Sequence, residues 1–128
     1  MIQEHKELLL KDICSRLPYR VKCKYYDCCE GDYDEGTICG FERKEYIQID
    51  GVCIHIEEVK PYLFPLESMT EEQKEEYHNL CSVGTDECGD IIYFNTYESI
   101  DYLNKNKFDY RYLIPMGLAI DTTNLNIY

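Results

Sequence analysis

The sequence has few basic residues and no tryptophan: 13 Lys and Arg stand against 25 Asp and Glu, so 128 residues carry a net charge of −12. This shortage of cations argues against direct binding to nucleic acid or anionic lipid, because both are bound through phosphate. No apolar run approaches the roughly 20 residues that a membrane-spanning helix needs. Residues 1–12 contain acids where a signal peptide has a cationic start and an apolar segment. We therefore expect a soluble cytoplasmic protein that binds neither nucleic acid nor membranes.

Motifs of catalysis are also missing. The chain has no GxSxG nucleophile turn, no Walker loop and no GxGxxG phosphate loop. Its three histidines, His5, His55 and His78, are scattered along the chain, so no Ser or Cys has an evident base beside it. These absences favour a binding protein over an enzyme, and they predict no cofactor.

The eight cysteines do not form a CxxC pair, although closed zinc sites usually draw their ligands from two closely spaced pairs. The nearest groupings are Cys23 with Cys28, Cys29 and Cys39, and His78 with Cys81 and Cys88. The acidic residues 30–35 lack the glycine and glutamate spacing of a calcium-binding EF-hand loop. We expect reduced thiols that pack as small hydrophobic side chains, and no metal site.

The first part of the chain has the pattern of a helix followed by a strand. Apolar residues recur at three- and four-residue spacing from Gln3 to Leu17, which is typical of an amphipathic helix that Pro18 ends. Residues 21–26 alternate between apolar and polar, as in a strand with one face in water. We expect an acidic loop over residues 30–36.

The next segment predicts a hairpin of two strands, residues 37–49 and 52–57. Asp50-Gly51 between them tolerates the positive φ of a two-residue turn. Such a turn sets the register and places the apolar residues of both strands on one face. The pairs that it predicts are Ile49 with Val52 and Ile47 with Ile54.

Residues 60–66 contain two prolines, which exclude a regular helix, and we predict a packed linker there. Ser68 or Thr70 caps a second helix, because Thr70 with Gln73 fits a capping box. The apolar stripe predicted for this helix consists of Tyr77, Leu80 and Cys81.

The last part of the chain predicts a strand and two helices. The apolar run 91–94 suits a central strand, and Thr96 caps a third helix that stops at Asn106. Residues 108–120 predict one more short helix. Pro115 and Gly117 terminate it, and an extended segment follows. The whole chain, residues 1–128, therefore predicts a single α+β domain whose mostly antiparallel sheet of about four strands carries three to four helices.

Several tyrosines stand beside cations in the sequence, a combination that suits a small phosphate-bearing ligand. Arginine grips phosphate through two hydrogen bonds, and tyrosine rings stack on bases. The residues predicted to line a nucleotide pocket are Tyr19, Arg20, Lys22, Lys60, Tyr62, Tyr110 and Arg111. The alternative is that these tyrosines are amphipathic residues at the edge of the core, near cations by chance.

Several segments carry a resemblance to a known group of proteins. They are RLPYRVK at 16–22, VKPYLFPLESMTEE at 59–72, YLN at 102–104, FDYR at 108–111 and GLA at 117–119. The chain resembles, over nearly its whole length, the small uncharacterised proteins common in phages and prophages of gut Bacteroidales. The family pattern has glycine at positions 20 and 112 and arginine at position 64, where this chain has Arg20, Tyr112 and Phe64.

The resemblance implies a phage-encoded protein in the cytoplasm of the host, and small phage proteins of this kind commonly act by binding a host component. We expect a non-enzymatic accessory protein that counters host defence by sequestering a nucleotide-derived signal. The alternative is an acidic protein-interaction module, or a DNA mimic, that occupies a host protein. Neither function implies a particular oligomeric state.

Overall fold

An amphipathic helix opens the chain in the computed structural model, which describes residues 1–128. Helix α1 spans Gln3–Arg16 and runs into a 3₁₀ turn at Leu17–Tyr19, where Pro18 has no N–H to donate. Leu9 and Ile13 of α1 are buried in the main hydrophobic core. The predicted first helix and its end are confirmed.

Two further helices and nine strands follow α1. The helices are α2 (Glu71–Leu80) and α3 (Tyr97–Lys105). The strands are β1 (Lys22–Asp27), β2 (Asp32–Glu42), β3 (Tyr46–Ile49), β4 (Val52–His55), β5 (Val59–Pro65), β6 (Ser82–Thr85), β7 (Ile91–Phe94), β8 (Phe108–Asp109) and β9 (Ile120–Asp121). None of the helices is long and apolar enough to cross a membrane.

The main sheet has seven strands, with β4-β3-β2-β1-β5-β8 in order and β9 also paired with β5. Its pairs are antiparallel, except that β8 and β9 run parallel to β5. Strands β6 and β7 form a separate antiparallel hairpin. The α+β class and the mostly antiparallel sheet are confirmed, but the expectation of about four strands was too small.

The two faces of the main sheet differ in chemistry. In β1 the side chains alternate, so that Cys23 and Tyr25 are buried while Lys22 and Lys24 are exposed. Lys24 lies opposite Lys60 of β5, which places both lysines on the outer face. The inner face joins α1 and residues 113–119 in one core. The cations of β1 and β5 therefore stand on the face that the core does not use.

The acidic loop predicted over residues 30–36 is mostly strand, and the long strand predicted over 37–49 is broken. Strand β2 starts at Asp32 because its backbone pairs with β1 while its first side chains stay exposed, so the carboxylates keep their hydration. A turn after Glu42, where Arg43 has a φ of 62°, then separates β2 from β3. Both predictions gave the wrong boundaries. The boundaries depend on which strands pair, and local composition does not show this.

The hairpin of β3 and β4 has the predicted turn and register. Asp50 and Gly51 have φ of 48° and 85°, and Ile49 pairs with Val52. Ile47 pairs with Ile54, and both are buried together with Ile49. Val52 lies at the turn end and is 43% exposed, so the core covers three of the four apolar residues that the register aligns.

The segment predicted as a packed linker is instead strand β5, an interior strand of the sheet between β1 on one side and β8 and β9 on the other. Its residues Val59, Pro61, Tyr62 and Leu63 are buried. The extended geometry that proline imposes is compatible with a strand. The prediction of a linker was wrong because the proline pattern excluded a helix but did not show that β1, β8 and β9 would pair with this segment.

Both predicted helix starts after residue 66 are confirmed. Thr70 Oγ1 accepts from the N–H of Gln73 at 3.1 Å, and Gln73 Oε1 accepts from the N–H of Thr70 at 2.9 Å. Thr96 and Ser99 form the same capping box for α3, which ends before Asn106 as predicted. Helix α2 has no buried residue, so the predicted stripe of Tyr77, Leu80 and Cys81 is only partly covered.

The run 91–94 is a strand, but it is not central, because β7 pairs only with β6. The helix predicted over residues 108–120 is absent, and turns link β8 to β9 there. The carboxylate of buried Asp109 accepts the N–H groups of Leu113 at 2.9 Å and Ile114 at 2.8 Å. These bonds take donors that a helix would use, and the prediction of a helix was wrong for that reason.

Two exposed residues, Arg20 and Tyr112, have left-handed backbones with φ of 53° and 58°. A left-handed residue with a side chain costs about 1–2 kcal/mol, and glycine costs about 0.5–1 kcal/mol in backbone entropy.

Replacing Tyr112, which is 62% exposed, by glycine is therefore expected to raise the free energy of unfolding by about 0.5–1 kcal/mol. Urea denaturation measures this change. The control is Tyr97→Gly at the exposed first position of α3, which removes the same side chain without relieving strain and should lower stability. A loss of stability at both positions would contradict the assignment of strain to Tyr112.

Candidate functional site

The structure divides the seven predicted pocket residues among three places. Tyr19 and Arg20 lie in the turn after α1, and Lys22, Lys60 and Tyr62 share the outer face of β1 and β5. Tyr110 and Arg111 follow β8 and contact α1. Only the outer-face group is brought together on one surface.

Tyr110 and Arg111 belong to a buried ion-pair network centred on Asp12. Arg16 Nε and Nη2 donate to the two oxygens of Asp12 at 2.9 and 3.1 Å, and Arg111 Nη1 donates to Oδ1 at 2.7 Å. The Tyr110 ring centroid lies 5.1 Å from the guanidinium of Arg16 and 4.6 Å from that of Arg111. The Tyr110 hydroxyl donates to Asn104. These groups bind one another, and they hold α1 against the segment that follows β8.

Two of the remaining predicted tyrosines are also engaged within the protein. The hydroxyl of Tyr19 donates to Asp101. Tyr62 is buried, and its hydroxyl donates to Glu35 at 2.8 Å. Burial, followed by the bond to Glu35, raises the pKa of Tyr62 to about 12. Arg20 and Lys60 remain exposed.

Lys22 holds the end of the chain against the outer face. Its Nζ donates to the carbonyl of Ile127 at 2.8 Å, and its backbone N–H donates to the hydroxyl of Tyr128 at 2.9 Å. That hydroxyl donates in turn to the carbonyl of Tyr62 at 2.9 Å, so it bridges β1 and β5. Burial of the hydroxyl raises the pKa of Tyr128 to about 12, although part of the ring is exposed. The Tyr128 ring is thereby fixed beside β5.

A cleft of about 390 Å³ opens next to this ring, and we call it the tail cleft. Phe64 of β5 pairs with Phe108 of β8, which brings both rings to the cleft. Lys105 ends α3, and Lys107, with a φ of 61°, turns the chain back into β8. The tail cleft is lined by the rings of Phe64, Phe108 and Tyr128, the cations of Lys105 and Lys107, and the polar groups of Ser68, Gln73, Asn106 and Thr123.

The last carbonyls of α3 do not need the two lysines of the cleft. The carbonyl of Tyr102 accepts from Asn106 Nδ2 at 2.9 Å, and that of Asn104 accepts from the N–H of Lys107 at 3.2 Å. The carbonyl of Leu103 accepts from Arg16. The ammonium groups of Lys105 and Lys107 are therefore left to the cleft.

The charged side chains that line the tail cleft are two lysines, although the protein as a whole is acidic. No Asp or Glu side chain lines it, and no carboxylate forms an ion pair with Lys105 or Lys107. The Lys107 ammonium lies 5.1 Å from the centroid of the Tyr128 ring. Burial, and then the charges of Arg16, Lys105 and Lys22, lower the pKa of Lys107. An anion in the cleft would offset the repulsion among these cations.

Comparison with known proteins gave no match. No protein family, curated protein or solved structure matches this chain. What the protein binds must therefore be inferred from its own residues.

A second cleft, of about 250 Å³, lies at the other end of β5 and contains Lys60. Lys24 lies there with its Nζ 5.0 Å from the centroid of the Tyr33 ring. Glu57, which is also paired with Lys6, and Glu58 line this cleft together with the two lysines. For an anionic ligand it is the less favourable site, because carboxylates repel phosphate.

No cluster of three or more Cys, His, Asp or Glu side chains is arranged to hold a metal ion. All eight cysteines are free thiols, and burial raises the pKa of Cys23 to about 12. In the tail cleft, the hydroxyl of Ser68 donates to the carbonyl of Pro65, and no histidine or carboxylate stands beside it. The titratable side chains that line the cleft are Lys105, Lys107 and Tyr128.

None of the residues that line the tail cleft was predicted from the sequence to bind a ligand. Lys105 and Lys107 lie on either side of Asn106, and Phe108 follows them. This is again a cation beside an aromatic residue, the pattern by which the seven predicted pocket residues were chosen. That local signal was present at residues 105–108. Phe64 and Tyr128 join these residues only through the pairing of β5 with β8 and the bonds of the tail to Lys22.

Proposed function

We propose that this protein binds a small anionic ligand of the nucleotide class in the tail cleft and leaves it chemically unchanged. One observation carries the proposal: two lysines without carboxylate partners face three aromatic rings in a protein whose net charge is −12. The volume of about 390 Å³ lies within the range of roughly 300–1,000 Å³ usual for ligand pockets.

The groups of the cleft match the parts of a nucleotide. The ammonium groups of Lys105 and Lys107 suit charge-assisted hydrogen bonds to phosphate oxygens. The rings of Phe64 and Tyr128 lie 5.9 Å apart between centroids and offer stacking surface to a base. Asn106 uses its amide N–H for the carbonyl of Tyr102, which leaves its oxygen to accept a hydrogen bond from the ligand.

The biological role that we propose follows the resemblance to phage proteins. A phage accessory protein with this cleft would sequester a nucleotide-derived signal of host defence. Sequestration requires binding alone, and no histidine, aspartate or glutamate side chain lines the cleft. In the resembled family, arginine at position 64 would add a further cation to the same cleft.

A thermal-melt screen tests the proposal. A nucleotide at a hundred times its dissociation constant should add about 2.7 kcal/mol to the free energy of unfolding, which raises Tm by several degrees for a domain of this size. The probes are cyclic dinucleotides, isomers of cyclic ADP-ribose, linear mononucleotides, adenosine and inorganic phosphate. We expect a nucleotide to give a larger shift than adenosine or phosphate at the same concentration, because only the nucleotide engages both rings and lysines.

Chromatography of the same nucleotide after incubation with the protein separates binding from turnover. Recovery of intact nucleotide is expected. A shift in Tm for none of the nucleotides would contradict the proposal, and conversion of the nucleotide to product would show an enzyme instead.

A further inference from the structure

The hairpin of β6 and β7 stands apart from the main sheet and exposes apolar side chains. The two strands pair only with each other. Val83 is 65% exposed, Ile91 64% and Tyr93 43%. The register pairs Val83 with Tyr93 and Thr85 with Ile91, which places the three apolar side chains on one face of the hairpin. We call this surface the hairpin face.

The hairpin face is held in place by its neighbours, although it is not covered by them. The ring of His78, on α2, stacks on Tyr93 with 3.8 Å between centroids and 4° between planes. Thr96 Oγ1 donates to the carbonyl of Leu80 at 2.6 Å, which ties the start of α3 to the end of α2. A two-stranded hairpin is marginally stable alone, so these contacts support an apolar surface that stays open to a partner.

The chain segment that contains the hairpin carries charge of one sign. Residues 75–104 contain no Lys or Arg. The acids of this stretch are Glu75, Glu76, Asp86, Glu87, Asp90, Glu98 and Asp101. In the hairpin turn, the carboxylate of Asp86 accepts from the N–H groups of Cys88 and Asp90, at 2.9 and 2.8 Å, which fixes an acidic tip beside Ile91. Asp86, Glu87 and Asp90 therefore make the turn end of the hairpin face anionic, and we call this end its rim.

This charge decides between two kinds of occupant. A second copy of the chain would bring the same acids against the rim, and like charges across an interface oppose association. A protein with lysine and arginine around an apolar centre would complement both the rim and the face. We propose that the hairpin face docks a protein partner of that chemistry, at a site separate from the tail cleft.

A defined probe tests this docking surface: a helical peptide with leucine on one face and lysine on the other. Titration into isotope-labelled protein, followed by NMR, should shift the amide signals of β6 and β7 most. Ile91→Ser should weaken binding about tenfold or more, because it removes one of the three apolar side chains of the hairpin face, and an apolar anchor that a partner buries can contribute that much. Val52→Ser is the matched control, since it removes an exposed apolar side chain from β4 and should leave binding unchanged.

Two further peptides separate the contributions of charge and of apolar surface. Replacing the lysines by glutamate, or the leucines by serine, should each abolish the shifts at β6 and β7. Shifts spread over the other acidic surfaces, or equal binding by wild type and Ile91→Ser, would overturn the proposal. Sedimentation of the protein alone gives the remaining outcome: a wild-type dimer that Ile91→Ser dissociates would assign the face to a second copy and overturn the basic partner.

Discussion

Asp12→Ala is expected to lower the free energy of unfolding by about 3–5 kcal/mol, the usual cost of removing one partner of a buried ion pair. Asp12 has 0% of its surface exposed and Arg16 has 1%. Without the carboxylate, the guanidinium of Arg16 stays buried with only the carbonyls of Phe108 and Leu103 to accept its hydrogen bonds. Arg111 loses the same partner, although it is partly exposed and regains some hydration.

Urea denaturation of matched variants checks this result. Glu7→Ala, an exposed change on the same helix, should alter stability by less than about 0.5 kcal/mol. Replacing both buried residues, Asp12→Leu with Arg16→Met, should recover much of the loss, because no uncompensated charge then remains in the core. Recovery stays incomplete, since the carbonyl of Phe108 keeps only the N–H of Tyr110 as a donor and Arg111 loses its carboxylate partner. If Asp12→Ala lowered the free energy of unfolding no more than Glu7→Ala does, the result would contradict a buried ion-pair network that stabilises the fold.

Reversing both charges of the tail cleft, with Lys105→Glu and Lys107→Glu together, is expected to weaken nucleotide binding by at least about 100-fold. Each hydrogen bond from a charged group contributes roughly 1.5–3 kcal/mol, and 1.4 kcal/mol is about tenfold in affinity. The new carboxylates would also repel the phosphate. Isothermal titration calorimetry with the nucleotide that gives the largest thermal shift measures the change.

The control for this variant is the same pair of substitutions in the second cleft, Lys24→Glu with Lys60→Glu. Both double variants change the net charge equally, so a loss confined to the tail cleft assigns binding to that site. Equal losses in the two would show that overall charge drives binding, against the proposed function.

The lowered pKa of Lys107 predicts a pH dependence of the same binding. The charged ammonium is the form that binds phosphate, and burial lowers its pKa in the free protein. Affinity should therefore fall as pH rises through this lowered pKa. The bound anion raises the pKa of Lys107 again, so binding near that pH should be accompanied by the uptake of a proton. Titrations in buffers of different ionisation enthalpy measure the proton uptake, which should vanish in Lys107→Gln.

The candidate site shows where sequence reasoning reached its limit. The pairing of cations with tyrosines is visible in the sequence, but the fold distributes such pairs among different tasks. Tyr110 and Arg111 pack against Asp12, which is remote in sequence, and this contact engages the guanidinium within the protein. Lys105 and Lys107 carry the same type of signal and remain without carboxylate partners. Only the positions of distant carboxylates distinguish the two cases.

Local chemistry in the sequence was enough to predict α1, the capping box at Thr70, the N-cap at Thr96 and the Asp50-Gly51 turn. Each depends on residues within a few positions of one another, whose spacing the sequence displays directly. The sheet order, the strand at 59–65 and the tail cleft were decided by the tertiary structure. In these cases the backbone donors and acceptors, the rings and the charges find partners far along the chain, and the energy of such pairing outweighs the local pattern.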